Sequence, residues 1–237
     1  LTHLITPGLL ACGLVGVWVW LAHRNRLLSA WDEFSHWGLV VKNMVYFDRF
    51  GNSPDATTYF KGYPPGTALF QYLWCKLYGS FQDAYLIRAT NVLSFSLLLP
   101  LFAKLNWKRC WAFVPLFFVM MCLPLTFFSG FYTELYVDAL LGLLFAYILY
   151  SYFSADTMDS FLVANLALAG FVLTLTKAAG AGMALMAYLI IGMDWWRRRR
   201  HPEPTGRWKG RFGFVCLPAS LLAAKMSWDW YLKVTHT

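Results

Sequence analysis

Apolar stretches of roughly twenty residues recur along this chain, and they constrain its fold more than any motif does. A bilayer core is crossed by about 20 mostly apolar residues in helical form, because in hydrocarbon every backbone N–H and C=O must be satisfied internally. Such stretches lie near 4–22, 89–103, 110–128, 135–153, 161–176, 178–194 and 211–226. They predict an all-α integral membrane protein, a single module of about seven transmembrane helices spanning 1–237. Composition agrees. Of 237 residues, 59% are hydrophobic and 14% charged, whereas soluble domains run at about 45–50% and about 25%. Pro7, Pro100, Pro115, Pro124 and Gly142 fall inside these runs, where neighbouring helices can satisfy the backbone groups they release. The string Ala178-Ala179-Gly180-Ala181-Gly182 predicts close helix contact.

The net charge of +8 does not point to nucleic acid, because the basic residues cluster beside apolar spans, where they set orientation. With the N-terminus in the cytoplasm, two short inner loops hold Lys104, Lys108 and Arg109, then Arg197 to Arg200, Arg207, Lys209 and Arg211, ten of the 20 basic residues. Seven others are spread over one long outer segment, among them Arg24 and Arg26, which argue the other way. The block Arg197 to Arg200 decides the orientation. The five cysteines have no CxxC or His-paired spacing, and four lie in apolar runs. They read as lipid-buried thiols rather than a disulfide framework or metal site. The chain opens inside an apolar segment without Met, and is read as the N-terminal part of a longer protein.

Residues 23–88 form the one long outer loop. Within it, Trp31 to Met44 reads as an amphipathic helix lying in the membrane interface. A second such helix is predicted from Gly66 to Tyr78, opened by Pro64-Pro65, with Leu69, Phe70, Leu73, Trp74 and Leu77 at helical spacing. The polar features gather on this outer face. They are Asp32 and Glu33, with His36 one turn later; Lys61 and Tyr63; Arg88; Glu134 and Asp138, one turn apart and so on one helix face; and Lys177. Ionisable groups at membrane depth face a cavity or a partner by default. Singly each has an ordinary explanation. An acidic pair suits a helix start, a histidine is commonly just hydrogen-bonded, a lysine snorkels, and Tyr-Pro-Pro opens a helix.

Their order along the chain carries more. An acidic pair after the first span, Phe60-Lys61-Gly62-Tyr63-Pro64-Pro65-Gly66, Arg88 leading the second span, Tyr132-Thr133-Glu134-Leu135-Tyr136-Val137-Asp138, Gly170-Phe171-Val172-Leu173-Thr174-Leu175-Thr176-Lys177 and Trp228-Asp229-Trp230-Tyr231-Leu232 occur in that sequence. This series resembles the GT-C superfamily of polyprenyl-phosphate-sugar glycosyltransferases. Within it, the series is most similar to the branch of lipid A aminoarabinose transferases and protein O-mannosyltransferases. The match departs from the family's Lys-Pro-Pro or His-Pro-Pro segment in that Gly62 and Tyr63 separate Lys61 from the prolines.

The resemblance implies transfer of a sugar from a polyprenyl-phosphate donor to an acceptor hydroxyl or amine on a lipid, cell-envelope polymer or protein, with inversion. It implies Asp32 as general base with Glu33 assisting, and Lys61, Arg88 and Lys177 on the donor phosphate. His36, Tyr63, Glu134 and Asp138 would bind sugar or acceptor. A divalent cation (Mg or Mn) is left open, since some members of the superfamily use one and this branch generally does not. The implied setting is a bacterial plasma membrane, with the active face extracytoplasmic. A transporter or flippase of lipid-linked sugars, and a non-catalytic membrane scaffold, are the competing readings.

Overall fold

Each of the seven apolar runs overlaps a helix. A computed structural model of the chain describes residues 6–51, 53, 56–103, 105–126, 130–200 and 213–236, and among these the fold is all-α and strand-free. The α-helices are α1 (Pro7–Ala22), α2 (Gly38–Phe47), α3 (Gly66–Tyr78), α4 (Asp83–Ala103), α5 (Phe113–Thr126), α6 (Val137–Ser154), α7 (Ser160–Thr176), α8 (Ala178–Arg200) and α9 (Gly213–Val234). Local chemistry sets several of the ends. The Thr6 hydroxyl accepts from Leu9 N at 3.1 Å with Pro7 in the first turn, and Asp159 accepts from Leu162 N at 2.7 Å. Both are side-chain caps for donors that a helix start leaves unpaired. Asp48 closes α2 in the left-handed region at φ 52.

Three helices among the described residues are long and apolar enough to cross a bilayer: Asp83–Phe102 in α4, Val137–Ser154, and Ala178–Arg198 in α8. The expectation of seven spans is corrected to these three on length and composition. Helices α1 and α7 are apolar but stop at 16 and 17 residues. Helix α5 has 14, and α9 carries Lys225, Asp229 and Lys233 within its 22. Helix α4 starts at Asp83, six residues before the predicted 89. Arg88 therefore stands inside it rather than ahead of it. Helix α8 runs through the basic block; Lys104, Arg207, Lys209 and Arg211 lie outside the described residues.

The chain divides into two compact units. The first comprises Leu1–Lys61 and Thr67–Leu140, the second Gly62–Gly66 and Leu141–Thr237. In the first unit α1 packs on α4 and α5. A Cβ on Gly8 would collide with the Phe102 carbonyl, so the bare glycine lets the two backbones approach there. The long loop builds a core of its own, in which Leu28, Val41, Met44, Ala68, Cys75, Leu86, Ile87 and Leu135 are buried together. Helix α3 inverts the usual polarity. It buries Thr67, Ala68, Gln71 and Cys75 while Leu69, Leu73 and Leu77 are exposed, Leu77 at 75%. An exposed leucine stripe of this kind suits a face laid against an apolar surface, as the prediction of an interfacial helix expects.

The second unit is built from α7, α8 and α9 packed on one another, with Leu144, Ile148 and Tyr152 of α6 buried at four-residue spacing. A Cβ on Gly180 would strike the Leu173 carbonyl, whereas one on Gly182 would meet nothing within 4 Å. Close contact through the small-residue string thus falls on one glycine of the two.

Candidate functional site

Asp32 and Glu33 are neighbours in sequence and opposites in space. Asp32 is exposed and Glu33 fully buried. Between them begins a π-helical turn, Glu33–Trp37, a widened geometry often found at functional sites. The turn closes with Gly38 N–H donating to Glu33 O. A Cβ on Gly38 would come within 2.9 Å of that same oxygen and would also press on Leu28, so glycine permits the turn.

The Glu33 carboxylate is a staple. Its Oε2 accepts from Ser29 N at 2.7 Å and Ala30 N at 2.8 Å, and its Oε1 accepts from Leu135 N at 2.9 Å, across 102 residues of chain. The loop after α1 is thereby held to the segment that opens α6. That segment is fixed from its other side as well. Tyr132 Oη donates to Met120 O at 2.8 Å, and Asn91 Nδ2 of α4 donates to Tyr132 O at 3.0 Å.

This stapling brings three of the sequence-selected acids to one place. Asp32, Glu134 and Asp138 line a cavity of about 460 Å³ together with Gly130, Phe131, Tyr136 and Ala139. A Cβ on Gly130 would overlap the Glu134 carboxylate, so that side chain folds back over the glycine. Burial holds the Glu134 carboxyl above its usual range and the charge of Glu33 adds to the effect, while Arg26 pulls the other way. Among the described residues, no group of three or more His, Cys, Asp or Glu side chains is placed to hold a metal ion.

The other selected residues are distributed around this pocket and away from it. His36 is buried, with its ring edge-on to Trp37 at 4.7 Å and to Phe60 at 5.7 Å. Burial pushes its pKa down to about 4 against the opposing charge of Asp32. It is neutral at pH 7. Lys61 is half-buried at the end of the first unit's loop. Arg88 lines a second cavity, between α1 and α4, which shares no residue with the acidic one.

Tyr63 and Lys177 belong to the second unit, where three of the motifs meet. A Cβ on Gly66 would fall 2.7 Å from Leu175 O at the end of α7, two residues before Lys177. Trp228 Nε1 of α9 donates to Gly62 O at 3.1 Å, with Trp228 stacked on Tyr231 at 5.3 Å. The segment 62–66 is thus seated against α7 and α9. Sequence reasoning passed over Tyr136 and Gly130 in the acidic pocket and treated Arg26 only as a topological charge. The signal for Tyr136 was its place two residues from both Glu134 and Asp138. Against family models, curated proteins and solved structures, the chain has no match.

Proposed function

We propose that this chain is the membrane-embedded module of a GT-C-like inverting glycosyltransferase, using a polyprenyl-phosphate-linked sugar as donor. The observation that carries the reading is the acidic pocket, in which Asp32 meets Glu134 and Asp138 from segments a hundred residues apart. These are the acids that the motif order selects. In the proposed reaction the acceptor hydroxyl or amine attacks the anomeric carbon and its proton passes to the Asp32 carboxylate. The bond from the anomeric carbon to the phosphate oxygen breaks, and the phosphate leaves with the electron pair. A base must face the pocket to take that proton, and Asp32 is the exposed member of its pair.

Glu33 acts as a positioning residue, since its oxygens are occupied by three backbone donors. Glu134, whose carboxyl is raised by burial, and Asp138 are assigned to sugar or acceptor hydroxyls. Lys61 is assigned to the developing phosphate charge, where a cation at the site of charge build-up lowers the barrier. In the second unit Lys177 and Tyr63 are the residues that the resemblance gives to phosphate and sugar. No step runs through a metal ion. The setting we propose is a bacterial plasma membrane, with the pocket on its extracytoplasmic face.

The test is transfer of radiolabelled sugar from a panel of polyprenyl-phosphate sugars by membranes carrying the full-length protein, wild type against Asp32→Asn. Transfer in the wild type that vanishes in the folded variant supports the reading. Equal transfer by both removes Asp32 as base. No transfer from any donor, with lipid-linked sugar bound equally by both, favours a transporter or scaffold.

A further inference from the structure

We propose that the groove between α1 and α4 binds one anionic glycerophospholipid, with its phosphate on Arg88 and one acyl chain along α1. The groove encloses about 680 Å³, and Gly13, Gly16, Val17, Trp20, Val92 and Leu99 are among its walls. From Arg88 to Leu99 it follows eleven residues of α4, about 16 Å at 1.5 Å per residue. The two helices converge at Gly8 and Phe102. Nearer Arg88 the wall of α1 is bare, because a Cβ on Gly13 or on Gly16 would meet nothing within 4 Å.

The polar end of the groove is set for an anion. The Arg88 guanidinium sits 4.5 Å from the Trp20 ring centroid and 5.8 Å from that of Tyr85, and its Nη2 donates to Arg24 O at 2.7 Å. Its Nε is buried without an acceptor, and no carboxylate pairs with it among the described residues. A half-buried guanidinium held by a ring and a carbonyl, and lacking a counter-ion, is a ready partner for a phosphate. The apolar walls select an amphiphile over a free phosphate. Because the groove shares no residue with the acidic pocket, its occupant is a resident lipid rather than the sugar donor. The inference rests on the chain lying in a bilayer and is independent of the transfer reaction.

The test reconstitutes the full chain in phosphatidylcholine nanodiscs doped with phosphatidylglycerol and counts retained lipid by native mass spectrometry. The wild type is expected to keep one phosphatidylglycerol, with roughly tenfold preference over phosphatidylcholine, the scale of one charge-assisted hydrogen bond. Arg88→Gln should erase the preference and Arg88→Lys should retain part of it. Gly16→Leu, which fills open space, should empty the groove of either lipid, and Gly13→Leu repeats that arm should the first variant fail to fold. No preference in the wild type, an unchanged preference in Arg88→Gln, or lipid retained by the folded leucine variants would overturn the proposal. So would displacement of phosphatidylglycerol by equimolar polyprenyl phosphate, which would give the groove to the donor.

Discussion

Removal of the Glu33 carboxylate should unfasten the first unit. In Glu33→Ala, three backbone N–H groups, of Ser29, Ala30 and Leu135, lose their acceptor, at a position with no solvent exposure. An unsatisfied buried donor costs about 1–3 kcal/mol. Only the Leu135 bond is buried, and the part-buried amides of Ser29 and Ala30 can turn to water, so the sum is taken as about 2–4 kcal/mol. That is a large share of the stability of many domains, about 5–15 kcal/mol. Glu33→Gln keeps one oxygen, which can serve either the Ser29–Ala30 pair or Leu135, and sets an amide N–H against the remaining donors; a loss of about 1–2 kcal/mol is expected. Asp32→Asn, one residue away but exposed, should change stability by less than about 0.5 kcal/mol. The assay is equilibrium unfolding by dodecyl sulfate in mixed micelles, with amide exchange read at Ser29, Ala30 and Leu135. The expected order is wild type and Asp32→Asn together, then Glu33→Gln, then Glu33→Ala. The reasoning is refuted if both Glu33 variants fall within about 1 kcal/mol of Asp32→Asn with the three amides still protected.

Further outcomes follow from other contacts. His36, held near pKa 4 by burial, binds its proton more readily when unfolded. Its contribution is therefore fully present above about pH 6.5 and is lost as pH falls toward 4, by about 3 kcal/mol; unfolding midpoints of wild type and His36→Gln across that range should diverge accordingly. Gly180→Ala should destabilise by about 1–3 kcal/mol because its Cβ meets the Leu173 carbonyl. Gly182→Ala, in open space, should stabilise by about 0.5–1 kcal/mol through helix propensity; thermal melts in detergent that shift both variants the same way would contradict this. Trp228→Phe removes the donor to Gly62 O and should raise proteolytic cleavage within 62–66 while leaving the rest of the chain resistant.

Much of the helix plan was written locally. Pro64-Pro65 followed by leucines at helical spacing predicted a helix over Gly66 to Tyr78, and α3 has those bounds. Each apolar run produced a helix because length and apolarity are properties of a segment. How far a helix extends was less legible. Helix α4 starts already at Asp83, whose carboxylate accepts from Leu28 N at 3.2 Å, a partner 55 residues away. The three pocket acids were selected by their order in the chain, and the packing then brought them together.

By itself, the sequence determined that the chain is helical and apolar, because composition and periodicity act within a segment. Which of two adjacent acids faces the pocket was beyond its reach. Asp32 and Glu33 are of one chemical type, and the π turn that begins at Glu33 shifts the helical phase by which a face is read. Arg88 lines the cavity between α1 and α4 rather than the acidic one, a placement set by the packing of α1 on α4. Gly180 and Gly182 are the same residue two positions apart, yet only one meets a neighbouring carbonyl. Such differences depend on what a second segment places opposite, and only the tertiary structure supplies that second segment.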